Sequence, residues 1–208
     1  ETGADSFKPA LGTLQNIHGE RLLHLVYHPE PDAYSLDSDD PSQATVVQRF
    51  GTYGLSGNTP VAVLGGQAEN PVESNDDISA DTLDLHSEYQ RRRATDSRYR
   101  IVGDSVIGET PEENRPVCKA DIYVSRLDED VPATEPVTLY TVLAEQVDGA
   151  GHWAVREFLD IQSLQFGYGT TRAVHISQLP DLPGDDWTLD NARIIAFIED
   201  GDGNVLQA

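Results

Sequence analysis

The hydrophobic pattern of this chain changes period near residue 100, and that change bounds the folds open to it. Beyond residue 98, apolar side chains fall at every second position in short runs divided by turns rich in Pro, Gly and Asp. The runs are 99–106, 117–126, 137–147, 153–159, 171–176, 192–198 and 205–207. Side chains two apart on an extended chain share a face, so each run has one apolar side to bury. Six or seven such strands with no helix between them predict an antiparallel β-sandwich. The tail 198–205, with Gly201, Gly203 and Asn204 suited to positive φ, reads as its closing hairpin.

Ahead of residue 99 the signals alternate between helix and strand. Leu11, Leu14 and Ile17 sit at helical spacing and Gly19 supplies a C-cap; the apolar run 21–28, ended by Pro29, predicts a buried strand. Pro41 and Ser42 open a helix through Gln43, Val46, Val47 and Phe50 that Gly51 closes, and 60–64 predicts a second buried strand. Residues 70–81 are polar and turn-rich. The segment 81–93 predicts a helix whose acidic start and Arg91-Arg92-Arg93 end suit the macrodipole. In so acidic a chain the triple arginine is read as pairing with its own carboxylates or capping the helix, rather than as an anion site. The fold class is α+β: an α/β domain over 1–98, then an antiparallel β-sandwich over 99–208.

Composition narrows the partners. A net charge of −22 on 208 residues repels a phosphate backbone, so nucleic acid is not expected, and anionic lipid is disfavoured likewise. Only Lys8 and Lys119 are lysines, and an Asp-rich, Lys-poor surface suits saline solvent, where screening blunts self-repulsion. No run of about 18 apolar residues exists, so no membrane span is expected. The absence of Met fits removal of an N-terminal secretory signal, with an expression remnant Glu1-Thr2-Gly3 as the rival reading. Cys118 is the one cysteine, which excludes an internal disulfide, a Cys-based zinc site and a CxxC pair within this sequence. Its alternation with Ala120, Ile122 and Val124 predicts a buried thiol.

Three C-terminal stretches, LYTVLAEQV (139–147), HWAVREFL (152–159) and DNARIIAFIEDGDGNVLQA (190–208), resemble strands and the closing hairpin of the Omp-twenty-eight-like bacterial outer-membrane-associated family. In the first half, GLSGNTPV (54–61) resembles the thioredoxin segment in which a Thr precedes a cis-proline, and LHLVYH (23–28) resembles the family's central strand. The resemblance implies a thioredoxin-like first domain with Thr59-Pro60 cis and an immunoglobulin-like second domain. The opening TGADSFKP (2–9) is similar to the family's lead into a Trp-Cys-x-x-Cys motif, with Ser6 and Pro9 at the two cysteine positions. A serine hydroxyl forms no mixed disulfide, so on this register dithiol redox chemistry is lost.

Among six histidines, His24 and His28 lie four apart in a predicted strand, on one face, and are the first candidates for copper or zinc, completed by His18, His86 or a carboxylate. A packed, hydrogen-bonded strand histidine is the rival reading, since no HxH or HExxH spacing occurs. Asp37-Ser38-Asp39-Asp40 and Asp200-x-Asp202-x-Asn204 invite calcium, but the second has Val205 where a calcium loop needs Gly, and reads as a turn. No GxSxG motif occurs, and Trp153 and Trp187 are expected to pack in the sandwich.

The expected function is therefore a non-catalytic extracellular, cell-surface or periplasmic interaction protein with no required cofactor, acting through a protein partner or self-assembly. The alternatives are a metal-binding protein built on the strand histidines, and a residual thioredoxin-fold enzyme without dithiol chemistry.

Overall fold

The computed structural model describes residues 4–18, 24–26, 45, 48, 61–62, 72–73, 77–94, 97–110, 116–127, 135–146, 152–167, 169–178 and 189–208. In chain order these form α1 (Ala4–His18), β1 (His24–Val26), β2 (Val61–Ala62), β3 (Val72–Glu73) and α2 (Ile78–Arg93). Seven strands follow: β4 (Tyr99–Glu109), β5 (Pro116–Arg126), β6 (Val137–Gln146), β7 (His152–Leu164), β8 (Thr171–Gln178), β9 (Ala192–Glu199) and β10 (Val205–Gln207). The described residues are thus mostly antiparallel sheet with two helices, an α+β fold.

Two sheets face one another. One has the order β4-β5-β8 and the other β1-β7-β6-β9-β10. Alternation explains what lies between them: Cys118, Ala120, Ile122 and Val124 of β5 meet Leu139 and Leu143 of β6, Leu159 of β7 and Ile198 of β9 in one core cluster. Tyr99 and Phe166 close one end edge to face, with ring centroids 5.5 Å apart. Ser97 ties the margin of the sandwich, its hydroxyl donating to the Leu206 carbonyl at 3.0 Å. Gly103 of β4 is required by a close approach, because a Cβ there would stand 2.5 Å from the Asp121 carbonyl oxygen of β5.

The five-stranded sheet departs from the expected antiparallel sandwich in two ways. One of its two edge strands is β1, from the first hundred residues, paired parallel to β7 in the register His24↔His152, Leu25↔Trp153, Val26↔Ala154. Its second face is covered as well. Val142, Ala144, Trp153, Val155, Ile195 and Phe197 form a separate buried cluster there, with Leu25 packed against it. Tyr140 stacks on Phe197 at 5.2 Å, and the Arg193 guanidinium lies 4.8 Å over the Trp153 ring. Residues 141–145 are consequently buried without a break, the pattern of a strand covered on both sides. Glu145 and Arg156 are both buried and face each other at 3.6 Å.

The two helices pack along Ala10, Leu11 and Leu14 of α1 against Leu85 and Tyr89 of α2. Helix α1 begins at Ala4, well before the predicted start, so Pro9 lies inside it. There the ring nitrogen has no hydrogen to offer the preceding turn, while Thr13 donates to the Pro9 carbonyl at 2.9 Å. Helix α2 begins three residues before the predicted start because Asp77 caps it, one carboxylate oxygen accepting from the Ser79 and Ala80 amides at 2.8 and 3.0 Å. At its far end Arg91 and Arg92 both bind Glu88, at 2.6 Å each. The Arg91 hydrogen bond, chiefly, holds the Glu88 carboxyl below its usual range. Thr45 and Gln48 are helical inside the helix predicted over 42–50.

Candidate functional site

The α1–α2 seam ends in a cluster of rings. An α-helix advances about 100° per residue, so the position seven after Leu11 returns to within about 20° of its face, whereas the position six after it does not. Hence His18, the last residue of α1, continues the packed stripe, and Ile17 is 58% exposed rather than part of the apolar face expected of it. On α2, His86 follows the fully buried Leu85 at the rim of the same seam. The His18 Nε2 and His86 Nδ1 atoms lie 3.3 Å apart and the rings stack with centroids 5.3 Å apart. Tyr89 packs its ring on His18 at 3.9 Å. The Gln90 side-chain amide reaches the other nitrogen of His86, Nε2, at 3.5 Å. Sequence reasoning had offered His18 and His86 only as auxiliaries to the strand histidines; the i, i+7 spacing from Leu11 was the signal for His18.

Of the predicted pair, the backbone of His24 lies in β1 opposite His152, and His28 falls outside the described residues. Thr59, Pro60, Trp187 and residues 37–40 also fall outside them. Ser6 and Pro9 both lie in α1, Ser6 in its first turn and Pro9 with an exposed side chain. The Asp200 carboxylate is engaged by its own hairpin: it accepts from the Asp202 and Asn204 amides at 3.0 and 2.9 Å and from the Asn204 side chain at 2.9 Å. Gly203 makes that turn possible at φ 83°.

Cys118 is fully buried, as its alternation predicts. Burial, reinforced by the negative charge of Glu157, pushes its thiol up to about 12, so it carries no thiolate near neutral pH.

A second surface lies on the open face of the three-stranded sheet. Val102 and Tyr123 are register partners across β4 and β5, and Val106 lies opposite Lys119; all three apolar side chains are exposed. Asp104 lies opposite Asp121, which in turn pairs with His175 of β8. The face is apolar at two points and charged between them, with β4 as one of its two edge strands.

No family model and no curated protein matches the chain. Among solved structures, HBP35 of Porphyromonas gingivalis is similar in fold: the TM-score is 0.65 at 15% identity, over 99% of this chain and 68% of that one. The likeness covers both halves of the sequence and is one of fold. Among the described residues no helix is long and apolar enough to cross a membrane.

Proposed function

We propose that this chain is a non-catalytic extracellular or surface-associated interaction protein, related to the Omp-twenty-eight-like proteins and acting through a protein partner or a second copy of itself. The observation that carries the reading is the exposed face of β4 and β5, where Val102, Tyr123 and Val106 stand on an edge sheet with a charged surround. A long edge strand presents backbone groups that a partner strand can pair, and exposed aliphatic and aromatic side chains on the same sheet add apolar area to bury. The likeness to HBP35 over 99% of the chain supports a relationship at the level of fold.

On this reading residues 1–98 are a degenerate thioredoxin-like unit and 99–208 an immunoglobulin-like sandwich that borrows β1. The first turn of α1 is where a helix would stabilise a thiolate, and it holds Ser6; the one thiol of the chain, Cys118, is buried between the sheets. Both facts support a protein that works by contact rather than by thiol chemistry.

The test places a photo-crosslinking residue at position 106, and a control at the equally exposed Leu83 of α2, in the full chain made in a bacterial host that secretes it. A discrete adduct from position 106, absent from 83, is expected in the surface or secreted fraction. Equal, diffuse labelling from both positions would overturn the proposal.

A further inference from the structure

We infer that His18 and His86 form an interhelical binding site for a divalent transition cation of the zinc or copper(II) type. The two residues are 68 positions apart, so the juxtaposition is a product of tertiary packing and not of helical spacing within one element. Its dimensions suit a shared ion. Two imidazole nitrogens on one tetrahedral zinc, each about 2.0–2.1 Å from it, stand about 3.3–3.4 Å apart. The Nε2 of His18 and the Nδ1 of His86 are 3.3 Å apart, a separation longer than the about 2.9–3.0 Å at which N–H donors usually settle.

The surroundings support the same atoms as ligands. His18 closes α1, and the carbonyls of a last helical turn carry partial negative charge that favours a cation beside them. Tyr89, itself buried, fixes the plane of the His18 ring from one side. When His86 ligates through Nδ1 its Nε2 bears the proton, and the Gln90 amide is placed 3.5 Å away to receive it once its oxygen is turned inward. The net charge of −22 raises the local concentration of any cation. Among the described residues no third His, Cys, Asp or Glu joins the pair. Such a site exchanges its ion and clamps α1 to α2 while it is held.

The experiment is a titration of the full chain, stripped with a chelator, with Zn2+ and separately with Cu2+ at pH 7.5. One ion per chain is expected, with a higher melting temperature on binding and a copper spectrum showing two imidazole nitrogens. His18→Gln and His86→Gln, which keep polar side chains of moderate size at the rim, should each weaken binding by more than about tenfold. The double variant His24→Ala/His28→Ala should leave it unchanged. Affinity should fall on acidification, because protons compete with the ion for the imidazole lone pairs. Circular dichroism checks that each variant is folded; where a glutamine variant is not, the two-nitrogen copper spectrum of the unaltered chain decides. The inference is overturned if no ion binds with one-to-one stoichiometry, if the ion survives loss of both His18 and His86, or if it is lost with His24 and His28 instead.

Discussion

The two sheets of this molecule are built from similar alternating strands yet live in different surroundings. In β6 five successive residues, Thr141 to Glu145, are buried, and the apolar clusters on either face of its sheet include Leu143 on one side and Phe197 on the other. In β4 the middle residues 102–106 are exposed on both sides of the strand, and only the core-facing side chains of β5 and β8 are covered. A sheet covered twice is held by packing at every position and has little freedom to serve as a surface. A sheet covered once keeps a face whose residues answer to something other than the core.

The largest expected effect tests whether the second face of the five-stranded sheet is truly core. Phe197 is 2% exposed on that face, and Phe197→Ala should cost about 3–5 kcal/mol of folding stability by denaturant unfolding. A cost below about 1 kcal/mol would mean that the face is effectively open and the contrast between the sheets false. Cys118 tests the space between the sheets. Its thiol is raised in the folded chain, so the folded state holds the proton more tightly; stability is full below about pH 8.5, the ordinary thiol value, and is lost as the pH rises towards about 12. Alkylation of the native protein at pH 8 should accordingly be slow and should accelerate with denaturant, and rapid native labelling would contradict a closed interface. The smallest effect belongs to the open face. Val106 is 65% exposed, and Val106→Ser should move stability by no more than about 0.5 kcal/mol in the same unfolding assay.

Much of the second half is legible in the sequence because each strand carries its own evidence. Val137 and Leu139 point inward and Thr138 between them does not, and the same alternation at Cys118, Ala120, Ile122 and Val124 places the thiol in the core. Legibility fails where the deciding partner is remote. The three residues of β1 have no local mark of a parallel partner, and pairing with β7 follows from tertiary packing alone. The near-continuous apolar run through Val142, Leu143 and Ala144 is the mark of a strand covered on both faces, and a period-two reading of 137–147 passes over it. In the candidate site a single angular error separates Ile17 from His18: counting three plus three from Leu11 reaches the exposed residue, while counting seven reaches the ring against Tyr89. Asp77 went unread as a cap because the polar segment before it resembles any loop until the Ser79 and Ala80 amides turn towards it.

The parallel pairing of β1 with β7 has a consequence for the order in which the molecule can be assembled. His24 to Val26 leave the ribosome or cross a membrane early, whereas their partners, His152 to Ala154, follow more than a hundred residues later. Until β7 arrives, β1 has no neighbour in its final sheet and Leu25 has no Trp153 against which to lie. Closing so long a loop costs entropy before its contacts offset it, and non-local strand pairing is slow for that reason. The β1 margin of the sheet can therefore be sealed only once β7 has been made, while the opposite margin waits for β10.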